Sequence, residues 1–169
     1  MGRFCSRRRL APVLLACLLA APTVWADHAV KAAVFDFEMI NTNRADGNAS
    51  LAEVKRLALV SNLLRRKLTE TGNYVIVDTG PAASLLKASI PLHGCNGCET
   101  DIARGLGAEI SFTGTVHKVS NLILMINLTV RNVATGETID VVRVNIRGNS
   151  DKSWSRGISY IFRNYPQTR

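Results

Sequence analysis

The sequence predicts an α+β domain with a mixed five-stranded β-sheet and helices packed on it, and two observations carry that expectation. Three consecutive segments between residues 110 and 147 alternate apolar and polar side chains with period two, and short turns join them. Ahead of them apolar runs alternate with helical patterns, so the order is strand, helix, strand, helix, helix, three strands, helix.

The first element is read as a leader rather than as part of the fold. Arg3, Arg7, Arg8 and Arg9 form a basic start, Leu10 to Ala21 is apolar, and Val24 and Ala26 are small enough for a cleavage site. A signal peptide over residues 1–26 and a single periplasmic domain over 27–169 are therefore expected. Ser6-Arg7-Arg8-Arg9-Leu10 partly matches a twin-arginine signal, so both export routes stay open. Leu14-Leu15-Ala16-Cys17 loosely resembles a lipoprotein box, but cutting there leaves too short an apolar core.

Val30 to Phe37 is apolar on both alternating faces, as a strand covered from two sides requires. Met39 to Ala49 is polar, contains Gly47 and reads as a loop. Ser50 with Glu53 is a capping box opening a helix from Leu51 to about Thr71, stopped by Gly72. Val54, Leu57, Leu64 and Leu68 are its expected buried stripe. Tyr74 to Val77 is a second two-sided strand, and Pro81 opens a short helix through Lys87. Pro91, Gly94 and Gly97 keep the next stretch irregular until a helix from Glu99 to Leu106.

In the meander, Ile110, Phe112 and Val116 share a face, as do Leu122, Leu124, Ile126, Leu128 and Val130, and then Val142, Val144 and Ile146. A last helix from about Asp151 to Asn164 places Trp154, Ile158 and Ile161 on one stripe.

Removing the leader takes four of the 21 basic residues and none of the 13 acids, leaving 17 against 13 and a net charge of +4. Much of the chain's basicity thus belongs to the leader, and no nucleic-acid partner is expected. After the leader no apolar segment approaches the roughly 20 residues that cross a bilayer. Cys5 and Cys17 go with the leader. Cys95 and Cys98 stay, in a compartment that favours their pairing.

Ala33-Val34-Phe35-Asp36-Phe37-Glu38, Tyr74-Val75-Ile76-Val77-Asp78, Ala103 to Glu109, Gly114-Thr115-Val116 and Ala134-Thr135-Gly136-Glu137 resemble the TolB amino-terminal and curli-secretion (CsgG-type) class of periplasmic domains. Cys95-Asn96-Gly97-Cys98-Glu99 and Gly148 to Gly157 are similar to a family of small exported bacterial proteins classed as a domain of unknown function. The resemblance implies a TolB-like α/β sandwich that works by contact with other envelope proteins and catalyses nothing. It carries over no pore, lipid anchor or propeller.

Several constellations are candidates for function. Cys95 and Cys98 lie just before a helix start, where amide N–H groups favour a thiolate. A local disulfide is one reading, a redox pair another. As a staple closing about four residues it contributes about 2 kcal/mol. His93, Cys95, Cys98 and Glu99 offer zinc-type donors, too few for an ordinary structural site, so no metal and no cofactor are expected. Asp36 and Glu38 alternate on one strand face, where acids are generally solvated or ion-paired. Elbow, zincin, P-loop and dinucleotide motifs do not occur, and Glu99 after Cys98 excludes haem attachment.

The face of the meander opposite the apolar set carries the functional expectation. Ser111, Thr113, Thr115 and His117, then Asn127, Thr129 and Arg131, then Arg143, Asn145 and Arg147 share it by parity. Cross-strand neighbours lie about 5 Å apart, so the arginines would repel one another unless an anion lay against them. Arg131, Arg143, Arg147, His117 and Asn127 are the candidate partner-binding residues. The function read from the sequence is a non-catalytic periplasmic binding or assembly module contacting another envelope protein. A thiol-disulfide redox protein and a carrier of a small ligand or metal are the alternatives.

Overall fold

β1 (Val30–Val34) runs parallel to β3 (Tyr74–Ile76) on one side and to β4 (Ile110–Lys118) on the other. Its two-sided apolar run accounts for this place. Ala32 and Val34 enter the main core, while Ala33 and Phe35 enter a smaller core on the opposite face. This is a computed structural model, and it describes residues 29–42, 48–89 and 91–165, so the expected leader lies outside the described residues. β5 (Ile123–Asn132) and β6 (Thr138–Arg147) continue from β4 as the antiparallel meander, and the sheet order is β3-β1-β4-β5-β6.

The sheet has six strands rather than five, because β2 (Glu38–Asn41) pairs with the second half of β4. The polar residues after Ile40 mask a short strand inside what reads as a loop. Val34 is level with Phe112 and Glu38 with Thr115, so the segment leading into β2 holds one residue more than β4 does. That bulge reverses parity. Asp36 meets Arg65 at 2.7 Å on the main-core side, whereas Glu38 meets His93 at 2.7 Å on the other side. The two acids therefore do not share a face.

The bulge is fixed at both of its ends. Arg65 donates from Nε and Nη2 to the Val34 carbonyl at 3.2 and 2.8 Å, and Ser61 Oγ accepts the Phe37 N–H at 2.9 Å. Phe37 then lies flat over Gly114, where an added Cβ would fall inside the ring. Only glycine leaves room for it.

α1 (Leu51–Glu70) and α4 (Asp151–Asn164) cover the main core. The capping box forms, with Ser50 Oγ accepting the Glu53 N–H and Glu53 Oε2 accepting the Ser50 N–H. The buried stripe of α1 is Glu53, Val60, Ser61, Leu64 and Leu68 with Leu57 at its edge, and Val54 is half exposed. A charged residue holds the position expected of Val54 because Glu53 has a buried partner. Leu122 is likewise exposed, as it precedes β5 instead of starting it. α4 comes close to the sheet at Gly157, where a Cβ would meet Ile126 and Ile146 at 2.8 and 2.9 Å. Tyr165, at its end, stacks edge-on to Phe112 and shares a 3.3 Å hydroxyl contact with Tyr74. Burial and then Tyr74 push its hydroxyl pKa upward.

On the opposite face α2 (Ala83–Ala88) and α3 (Cys98–Gly105) lie over the β1 side of the sheet. They leave the polar side of β5 and β6 open. No helix among the described residues is long and apolar enough to cross a membrane.

Candidate binding site

The open polar face is built by alternation. Each apolar residue that β4 and β5 send into the main core forces its neighbour outward. Ser111, Thr113 and Thr115 of β4 stand level with Arg131, Thr129 and Asn127 of β5, and Asn127 is level with Arg143 of β6. Over this floor arches the segment from Leu92 to Cys98.

Glu38 holds that arch. Its Oε1 accepts the Leu92 N–H at 2.7 Å, and its Oε2 accepts the His93 N–H at 3.0 Å and faces His93 Nδ1 at 2.7 Å. Cys95 and Cys98 are bonded to each other at its far end. The tight turn between them uses Asn96 at φ +49° and Gly97 at φ +113°, and the latter value suits glycine. α3 then opens with Glu99, 4% exposed, whose Oε1 lies 3.3 Å from Arg131 Nη1.

Floor and arch enclose a pocket of about 340 Å³, lined by Thr113, Thr115, Asn127, Thr129, Arg131 and Arg143 below and by His93, Gly94, Asn96 and Gly97 above. Three of the five candidate partner-binding residues thus come together with the disulfide loop. Arg147 does not line the pocket; it is level with Ile123. His117 is level with Ile40, which lines the pocket, and with Met125, but is not itself part of the lining.

The register also separates the arginines. Asn127, the partner of Arg143, lies four residues from Arg131 along β5, and Arg147 lies four residues from Arg143 along β6. That spacing is about 13 Å, so the expected close repulsion does not arise. Arg131 is instead neutralised by Glu99, while Arg143 and Arg147 have no salt bridge among the described residues.

The face is rich in unmet hydrogen-bonding capacity. Ser111 Oγ, His117 Nε2, Asn127 Oδ1 and Arg131 Nε are buried atoms without a partner among the described residues. Asn127 spends its Nδ2 on Thr115 Oγ1 at 3.3 Å, which leaves its carbonyl free to accept. Arg131 Nε is free to donate. A ligand that spans this stretch of β5, with a donor toward Asn127 and an acceptor toward Arg131, fits those two groups.

The disulfide loop has opposing influences on sulfur chemistry. The amide end of α3 favours a thiolate, but Glu99 Oε2 lies 3.8 Å from Cys95 Sγ and disfavours one. The donor atoms of Cys95, Cys98 and Glu99 lie within 4.8 Å of one another, so a soft metal fits the reduced dithiol form. In the bonded form the sulfurs are committed to each other and Glu99 to Arg131.

A second polar cluster sits under the main face. Lys118 Nζ meets Glu53 Oε1 at 2.9 Å, both side chains at most 6% exposed, and Asn149 Nδ2 donates to the same oxygen at 2.7 Å. Asn149 Oδ1 in turn accepts from Trp154 Nε1 at 3.1 Å and Arg56 Nη1 at 3.2 Å, and Arg56 pairs with Asp151 at 2.7 Å. Burial alone would raise the Glu53 carboxyl, but Lys118, Ser50 and Asn149 together outweigh it and hold its pKa at about 2. The cluster ties the start of α1 to β4 and to the start of α4. Its signal in the sequence is Lys118, a charge on the apolar parity of β4.

Comparison with known proteins adds to this geometry. Residues 30–165 match the model of the family DUF3280, described as "Protein of unknown function (DUF2380)". No curated protein matches the chain. Among solved structures, the chain is similar to the LpoB C-terminal domain from Salmonella enterica, at 19% identity and TM-score 0.50, over 70% of this chain and 83% of that one. It is similar to lipoprotein GNA1162 from Neisseria meningitidis at 10% identity and TM-score 0.51, over 82% of this chain and 99% of that one. TolB from Acinetobacter baumannii matches at 13% identity and TM-score 0.47, over 81% of this chain and 28% of that one. The first two share its fold. The curli-secretion part of the resemblance rests on the sequence motifs alone.

Proposed function

The chain belongs to the DUF3280 family, and we propose that it is an exported, non-catalytic module that binds another envelope component through its polar sheet face and disulfide loop. The observation that carries this reading is the pocket, where Asn127, Arg131 and Arg143 meet the Cys95 to Cys98 arch around unmet donor and acceptor atoms. Its groups are amides, hydroxyls and guanidiniums, with the His93 imidazole and the Glu99 carboxylate. His93 is committed to Glu38 and Arg131 to Glu99. Such a set recognises a ligand without being poised to transform one. GNA1162, whose fold the chain shares, is a lipoprotein, and the basic and apolar start with Val24 and Ala26 supports export of this chain by cleavage after Ala26.

The test is affinity capture from envelope extract with Arg143→Glu/Arg147→Glu. These exposed residues carry no ion pair among the described residues, so the variant keeps the fold. Arg131 is avoided, because a glutamate there would face buried Glu99. Loss of a stoichiometric partner with an unchanged melting temperature is the expected result. Full capture by the folded variant overturns the reading.

A further inference from the structure

β6 is an outer strand of the sheet, and the direction of its backbone groups can be read from its ends. In an antiparallel ladder the N–H and C=O of one residue point the same way, and successive residues alternate. Gly148 N–H donates to the Leu122 carbonyl at 3.1 Å, so even-numbered positions face β5. Val141 N–H is instead taken by Asp140 Oδ1 at 2.7 Å, and the Arg147 carbonyl accepts from Ser153 Oγ at 2.7 Å. Odd positions therefore face outward. Between the two guarded ends, Arg143 and Asn145 present N–H and C=O groups to the open edge without a partner among the described residues.

The surroundings of that edge are basic on both sides. Arg143 and Arg147 stand on the polar face, and Arg156 and Arg163 line, with Tyr160, a groove between β6 and α4 on the other. None of these four arginines has a salt bridge among the described residues. The acid of the strand, Asp140, lies near its start and spends one oxygen on its own neighbour's N–H.

We propose that this edge takes an extended acidic segment of the envelope partner as an added strand. The added main chain pairs with Arg143 and Asn145, and its side chains alternate between the two faces, where carboxylates meet Arg143 and Arg147 on one and Arg156 and Arg163 on the other. This rests on the reading of the polar face as the partner site and specifies how the partner lies on it. Charge complementarity selects the occupant. A second copy would bring a like set of arginines against these, and an uncharged strand gains nothing from them.

The probe is a fluorescein-labelled peptide of about ten residues built on a Glu-Glu-Thr-Thr repeat, which puts carboxylates on both faces of an added strand and matches the length of the strand it would join. Its binding to the mature full chain is read by anisotropy, and amide exchange is followed at Arg143 and Asn145. Asn145→Pro removes an outward N–H and leaves the ladder to β5 intact, as proline allows on an edge. We expect protection of both amides on binding, and a loss of affinity of about tenfold or more in Asn145→Pro and in the peptide N-methylated along its backbone. Should Asn145→Pro fail to fold, the N-methylated peptide decides. Equal binding of the plain and N-methylated peptides overturns strand addition while leaving the polar-face reading standing. No binding by the wild-type chain also overturns it, and the polar-face reading is then judged by the capture experiment alone. A concentration-dependent dimer abolished by Asn145→Pro would assign the edge to a second copy and overturn the proposed occupant.

Discussion

Replacing Glu53 by Gln removes one charge from a buried pair and leaves the shape of the site almost unchanged. The Glu53 carboxyl titrates at about 2 in the folded chain against 4.5 for an ordinary glutamate. A depression of that size corresponds to about 3 kcal/mol of stability. Breaking a buried ion pair from one side costs a similar 3 to 5 kcal/mol, about 10 °C in melting temperature for a domain of this size. Because the folded pKa lies below the unfolded one, the contribution is complete above pH 4.5 and is lost as pH falls toward 2. Urea titrations of wild type and Glu53→Gln between about pH 7 and about pH 2 measure the difference directly, since the other carboxylates cancel in the subtraction. A gap of about 3 kcal/mol at neutral pH that closes by about pH 2 is expected. A gap under about 1 kcal/mol, or one that does not change with pH, would refute the reasoning.

Three further outcomes follow from the same structure. Gly114→Ala places a methyl group inside the Phe37 ring and should cost about 2 kcal/mol or more, read by denaturant melting; a neutral variant would mean that Phe37 does not lie over Gly114. Gly157→Ala, which pushes α4 from Ile126 and Ile146, should cost about 1 to 3 kcal/mol in the same assay. Cys95→Ser/Cys98→Ser should fold with a loss of no more than about 2 kcal/mol, since the closed loop is short. Disulfide-reductase turnover that vanishes in that variant would favour the redox alternative.

The parts of the fold visible in the sequence are those in which one period governs a long segment. β4, β5 and β6 keep an apolar parity over most of their length, and the stripe of Trp154, Ile158 and Ile161 is buried in α4 as its spacing requires. β2 escaped notice because four residues are too few to show a period and a bulge breaks their parity with β1. The composition of the candidate site was visible, since parity alone puts Asn127, Arg131 and Arg143 on one face. Its shape was not. Whether the arginines cluster depends on register, and register is set by turns and by the bulge between Val130 and Arg131. The contact of Glu99 with Arg131 and the clamp of Glu38 on His93 join residues 32 and 55 positions apart, which no local pattern reveals. Lys118 was the exception, a charge on an apolar parity that announces a buried partner without naming it.

Site-specific photo-crosslinking in intact cells tests the central claim most directly. A photoreactive side chain at Thr129 lies in the pocket floor, one at Arg143 lies at its β6 side, and one at exposed Lys55 lies on α1, across the sheet from the pocket. A binding module that uses its polar face gives the same crosslinked envelope protein from positions 129 and 143 and none from position 55. Crosslinks from Lys55 with silence at Thr129 and Arg143 would contradict the account.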